Sequence, residues 1–255
     1  SAHVQAGYAH RGIDQAMTQV TWERGVLLAR QLDPLAPLAG QLAYIQALEM
    51  LQQWPVPITT QRLRDAALAI ERASNALWWA ARFASLLSAT RLQKRAAQLA
   101  SALTTQTALL WRQPPEKWMM PQNAAEQAIE RGQTPSHAQM LKTLAREIAS
   151  LSAFTEKDRW LSLRTRGIGV ITTQHLLEKG VQGPVLSASQ QGAGDARSRL
   201  WSRLQGASRD LATAAEGVQA SQQGQHSADW NISAGTGRSI VEGPRVPICL
   251  RLTSD

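Results

Sequence analysis

The sequence predicts a mainly α fold, a bundle core of long helices with a small α+β attachment, and three observations carry that expectation. Apolar residues recur at helical spacing over long stretches, prolines punctuate them, and runs of strand type are confined to short segments bounded by glycine. At 255 residues the chain is long enough to bury a substantial core, as one large domain or two small ones.

Asp14 to about Leu32 is patterned as an amphipathic helix, and Pro34 and Pro37 precede a second helix from Leu38 to Trp54. Pro55 and Pro57 then force a break, because proline lacks the amide a helix interior needs. Thr59 or Thr60 caps a long helix running to about Ser88, and a further helical segment reaches about Trp111 before Gln113-Pro114-Pro115 ends it. Ser136 to Ala153 is the next helix. Ala196 to Ala220 is a late one, with Leu200, Leu204 and Leu211 along one side.

Between those two lies a glycine-rich block. Gly167 to Ile171 is a short apolar run of strand type, Thr172 or Thr173 supplies a cap for a short helix, and Gly180 closes it in the left-handed conformation. Gly183-Pro184 turns the chain into a second apolar run, Val185-Leu186. Ser221 to Gly237, rich in Gln, Ser, Gly and Ala, is expected to be a mobile loop. Ser239 to Val241 and Ile248 to Leu252 are candidate strands around the turn at Gly243-Pro244. The expected organisation is a helical core over 1–220 that includes a unit at 164–189, a loop over 221–237, and short strands over 238–255 packing back on the core.

A hydrophobic content of 44% against 18% charged residues is that of a globular protein, and even the most apolar helix, around Leu77 to Leu87, carries Arg82. With no bilayer-spanning run and no secretory pattern, the expectation is a cytoplasmic or peripheral protein. The 27 Lys and Arg against 19 Asp and Glu leave a charge of +8, which favours nucleic acid, anionic lipid headgroups or an acidic partner protein. Nucleic acid ranks last, because the cations are dispersed and no recognised binding motif accompanies them.

Cys249 is the single cysteine, which excludes an intrachain disulfide, a zinc ribbon and any iron-sulfur cluster held by several cysteines of this chain. Its strand-like neighbours predict a small buried hydrophobe. His137 and His175 lack companions at metal-ligand spacing and are expected to be solvated. Gly167-x-Gly169 lacks the third glycine of a dinucleotide fingerprint, and no Ser/His/Asp set emerges from spacing. Trp78 and Trp79 are read as filling the bundle core or a subunit interface, ahead of stacking on an aromatic ligand.

The block from Arg164 to Ser189 resembles a pattern, R-T-x-G-x-G-V…A-L-x-x-G-x-x-G-P-x-L-R-A-S-G, of the quinone-reducing subunit family of respiratory complex I, itself related to nickel-iron hydrogenase large subunits. Ser187 and Gln190 replace its Arg and final Gly. Four further blocks follow the family's order: Ala9 to Asp14 resembles H-R-G-x-E, Gln41 to Glu49 resembles Q-A-Y-x-x-A-V-E, Arg72 to Trp78 resembles R-x-x-N-H-L-x-W, and Ser239 to Arg245 resembles A-x-E-x-P-(R/K)-G. The resemblance implies a hydrogenase large-subunit-like, mainly α fold.

It also implies site residues. Counting back from Ala43-Tyr44, the first metal-binding Cys pair of hydrogenases falls near Asp33 and Ala36 and the following His near Gly40, none a soft ligand, so nickel-iron chemistry is not expected. Tyr44 matches the family Tyr that donates a hydrogen bond to a quinone headgroup; packing between helices is its alternative role. Arg11, Arg72 and Asn75 match residues near the iron-sulfur cluster of a partner small subunit, although Ala76 and Ala69 replace the family's neighbouring His and acid. Arg11 could instead pair with Asp14. The family's second quinone ligand, a His in an N-terminal hairpin, has no counterpart in Ser1 to Ala9, and the second Cys pair has none before Asp255.

The function implied is that of a subunit of a membrane-associated redox complex resembling NADH:quinone oxidoreductase. It would dock on an iron-sulfur small subunit resembling the cluster-bearing B-type chain of complex I, and on other complex I-like or hydrogenase-like subunits. Its place would be the cytoplasmic face of the inner membrane, with the membrane touched only through the complex. No cofactor is expected on this chain alone; quinone is the ligand implied and the cluster belongs to the partner. The alternative is a pseudoenzyme, a scaffold that binds partner subunits only.

Overall fold

A computed structural model describes residues 10–111, 114–120, 129, 133–180, 190, 192–221, 234–243 and 247–254. Its helices are α1 (Ile13–Met17), α2 (Trp22–Ala29), α3 (Pro37–Gln52), α4 (Ile58–Leu86), α5 (Thr90–Leu110), α6 (Pro115–Trp118), α7 (Thr134–Lys157), α8 (Arg159–Thr165), α9 (Thr173–Glu178) and α10 (Ala196–Ala220). Two antiparallel strands follow, β1 (Gly235–Glu242) and β2 (Pro247–Ser254). The mainly α expectation holds.

The bundle is built from α4, α5, α7 and α10, with α10 lying against both α4 and α7. Leu200, Leu204 and Leu211 are fully buried, as their spacing predicts. Leu77 of α4 is likewise fully buried. Gly217 lets α10 approach α4 closely, since a Cβ there would lie 3.0 Å from the Arg62 carbonyl. Arg62 returns a hydrogen bond of 3.2 Å to the Ala220 carbonyl.

The α3 helix forms a second layer between α2 and the strands. It is buried nearly all round, from Ala39 to Glu49, as expected of a helix covered on several sides. The register of the strands pairs Ile240 with Cys249 and Glu242 with Pro247. Alternation puts Gly237, Ser239 and Val241 inward and Arg238 and Ile240 outward. At Gly237 a Cβ would fall 1.8 Å from the Ala47 carbonyl, so only glycine permits β1 to lie on α3. Ser239 Oγ donates to the Ala43 carbonyl there.

Several expectations are corrected. The helix predicted from Asp14 to Leu32 is two helices, broken at Thr18 to Thr21, where Thr18 Oγ1 donates to the Gln15 carbonyl at 2.8 Å and competes with helical pairing. Pro57, not a threonine, precedes α4, and Thr59 and Thr60 lie buried in its first turn. Gly167 to Ile171 is no strand: Gly167 and Gly169 have φ of 70° and 61°, and the segment turns. Thr172 does cap α9 by accepting from the His175 amide, and Gly180 ends it with φ of 65°.

Cys249 is exposed, because it sits on the outward face of β2. His137 is buried, hydrogen-bonded to Gln133 Oε1 at 3.3 Å, and burial lowers its pKa. Trp78 is 51% exposed and so is no core residue. Trp79, by contrast, stacks on Phe83 with ring centroids 5.1 Å apart, and the Arg203 guanidinium lies 4.4 Å from its ring centroid. The predicted loop over 221–237 ends earlier, since β1 starts at Gly235; its residues 222–233, and the run Val185-Leu186, lie outside the described residues.

Candidate functional site at the α2 to α3 connection

Two of the four residues singled out by motif, Arg11 and Asn75, meet on one stretch of chain, the connection from α2 to α3. Asn75 of α4 donates to the Leu35 carbonyl at 2.7 Å and to its own helix at the Glu71 carbonyl, 3.1 Å. Arg11 donates to the carbonyls of Gln31 and Leu32, the latter at 3.3 Å. A guanidinium is suited to this, because the peptide groups leaving a helix present unpaired oxygens and a partial negative charge. Asp14, the alternative partner of Arg11, instead pairs with His10 at 3.1 Å on the surface.

Glu71 completes the cluster, one turn before Asn75. Its two carboxylate oxygens accept from the amides of Leu38 and Ala39 at 2.9 and 3.1 Å, which caps the first turn of α3 from a neighbouring helix. The residue is 8% exposed. Burial pushes its pKa up to about 7 despite the two amides, with Asp33 nearby adding to the rise and Arg72 opposing it. Arg72 itself reaches Asp210 of α10 at 2.9 Å and does not join the connection.

Tyr44 lies farther along α3 and is buried, 6% exposed, against α2. A Cβ on Gly25 would be 2.3 Å from its hydroxyl oxygen, so the phenol rests directly on the α2 backbone. Burial, and secondarily the Glu23 carboxylate, raises the phenol pKa; the group stays protonated and can act as a donor. At Gly40 a Cβ would meet the Ala29 carbonyl at 2.3 Å. That position accommodates no side chain, and Asp33 and Ala36 offer no thiolate, so these residues do not fit a nickel-iron centre. Among the described residues no group of three or more His, Cys, Asp or Glu is placed to hold a metal ion.

Besides Glu71, two polar centres escaped the sequence reading. Arg64 and Glu49 form a buried pair joining α4 to α3, with contacts of 3.1 and 2.5 Å, and Arg64 Nε donates to the Met119 carbonyl at 2.8 Å. Asp195, 2% exposed, organises the glycine-rich block: it accepts from the amides of Gly167 and Ser198 and from the Ser198 hydroxyl, each at 2.8 Å. Burial alone would raise its pKa, but these donors outweigh it and hold the carboxyl below its ordinary range. Arg199 adds bonds to the carbonyls of Gly169 and Gly194, so the block is a turn fastened to the start of α10. Charges within the long predicted helix were the available signal for Glu71 and Arg64; their partners became visible only in the fold.

Comparison with known proteins agrees with the motifs. No family model matches the chain. It is 26% identical over 184 residues to the D-type chain of NADH-quinone oxidoreductase from Geotalea uraniireducens, covering 72% of this chain and 47% of that protein. A 73-residue stretch is 33% identical to a D-type chain of the same enzyme from Herpetosiphon aurantiacus, 29% of this chain and 17% of that one. In these matches the chain spans at most about half the length of the curated relatives. Among solved structures, a chain of a membrane-bound sulfane sulfur reductase, described as an archaeal respiratory membrane complex, superposes with a TM-score of 0.77 at 18% identity, over 98% of this chain and 76% of that one. The complex I-like reading is thus matched by curated homologues at low identity, and the fold is that of a respiratory-complex chain.

Proposed function

We propose that this chain is a subunit of a membrane-associated redox complex resembling NADH:quinone oxidoreductase, docked on an iron-sulfur small subunit and contributing Tyr44 to a quinone or electron-exit site. The observation that carries this reading is the convergence of Arg11 and Asn75, both placed by motif, on the α2 to α3 connection that leads into the Tyr44 helix. A connection held by side chains from two directions gives Tyr44 a fixed setting, and a protonated phenol is the donor that a quinone oxygen requires. Nickel-iron chemistry has no part in the proposal, because the matching positions carry Asp33, Ala36 and Gly40. No helix among the described residues is long and apolar enough to cross a membrane; in the proposed complex other subunits make the membrane contact, on the cytoplasmic face.

The second reading, a scaffold without electron transfer, is favoured by one observation: Tyr44 is packed against Gly25 with 6% of its surface exposed. Tyr44→Phe in the assembled complex separates the two. A quinone donor predicts quinone binding or turnover weakened by about two- to tenfold at matched assembly, since one neutral hydrogen bond is worth about 0.5–1.5 kcal/mol. Unchanged quinone kinetics assign the scaffold role, and purification without an iron-sulfur subunit overturns the redox reading.

A further inference from the structure

We infer that Glu71 is a positioning residue for the Tyr44 helix: its carboxyl fastens the first turn of α3 to α4 and transmits the gain or loss of one proton to that turn. The link to quinone rests on the reading above; the anchoring does not. Helix α3 begins at Pro37, and no side chain of its own first turn or N-cap satisfies its leading amides. Those of Leu38 and Ala39 are taken instead by the two oxygens of Glu71, 33 and 32 residues away in sequence. No solvent replaces that acceptor readily, for Ala39 is fully buried and Glu71 is 8% exposed.

The groups facing this carboxyl come from each side of it. Asp33, on the connection, repels the ionised form; Arg72, next to it on α4, favours that form but is engaged by Asp210 of α10. The two helical amides favour the carboxylate, and burial favours the acid. These opposed influences place ionisation close to neutrality, where most buried carboxyls with a bound cation would already be ionised. The ionised form accepts from both amides with a full charge and the acid more weakly, so those two bonds strengthen as the proton leaves, although burying the charge costs the fold more than they return. Asn75, one turn on, keeps the connection attached in either state through its bond to Leu35.

The test is a pH titration of the ¹⁵N-labelled chain, following the amide resonances of Leu38 and Ala39 from about pH 5 to about pH 9 in the wild type, Glu71→Gln and Glu71→Ala. Both amides should move together along one sigmoid with its midpoint near neutrality in the wild type and stay flat in Glu71→Gln. In Glu71→Gln the remaining amide oxygen still accepts, so one of the two amides keeps its protection from hydrogen exchange; in Glu71→Ala exchange at both amides should rise about tenfold or more. Flat wild-type amides, or a titration that survives Glu71→Gln, overturn the inference. If Glu71→Ala fails to fold, the Glu71→Gln comparison alone decides. Because the readout is the amides themselves, it stands or falls independently of quinone binding.

Discussion

Arg64 of α4 faces Glu49 of α3 with its two terminal guanidinium nitrogens each on one carboxylate oxygen, and both side chains are buried. Removing one partner leaves a charge that the interior cannot solvate. Arg64→Met should therefore destabilise the chain by about 3–5 kcal/mol, whereas the double variant Glu49→Leu/Arg64→Met should recover a large part of that loss. Urea unfolding of the three variants measures it; equal stability of the single and double variants would show that the Met119 carbonyl, not the ion pair, dominates.

Gly25 and Tyr44 give a second test. Gly25→Ala drives a methyl group to 2.3 Å from the phenol oxygen and 2.6 Å from the ring carbon bearing it, and the buried ring must shift. The expected loss is about 1–3 kcal/mol, the usual range for overpacking. A changed near-ultraviolet spectrum with intact far-ultraviolet signal should accompany it, and an unperturbed melting point would place Tyr44 elsewhere.

Stability should also depend on pH through Glu71. Its carboxyl titrates at about 7 in the folded chain and near the ordinary value of 4.5 when unfolded. The folded state therefore holds the proton more tightly. That contribution is complete below the unfolded value and is lost as pH rises through the folded one, an effect on the order of 3 kcal/mol. Glu71→Gln should flatten the stability profile between those two values, which denaturation at a series of pH values will reveal.

Gly237→Ala tests the seating of the strands. Its Cβ would meet the backbone carbonyl of Ala47 and the Leu51 Cβ, atoms that cannot rotate aside. The strand pair should lift from α3, with faster amide exchange in β1 and β2 and little change in the α4, α7 and α10 bundle. Unaltered exchange in the strands would contradict the packing described.

The long helices were legible because Leu and Ala recur at helical intervals and proline marks the breaks at residues 34, 37, 55 and 57. Arg11, Asn75 and Tyr44 were singled out through motif, and the fold brings Arg11 and Asn75 to one connection. Glu71 was not, since nothing local says that a carboxylate on α4 meets the amides of Leu38 and Ala39, far earlier in the chain. Gly167 to Ile171 misled because an apolar run bounded by glycines reads equally well as a strand or as a turn, and the choice was made by Asp195, a residue remote in sequence. Thr18 misled in the opposite sense, as amphipathic spacing continued through a residue whose side chain bonds the local backbone.

The placement of α10 between α4 and α7 has a consequence for biosynthesis. Residues Ala196–Ala220 emerge from the ribosome after both of their partners, so the faces of α4 and α7 that pack on α10 remain without their final cover until that helix is made. At ordinary elongation rates that interval lasts on the order of several seconds, far longer than the microseconds a helix needs to form. The nascent chain is thus a set of finished helices waiting for a keystone, and its demand for chaperones should be set by the time taken to reach Ala220.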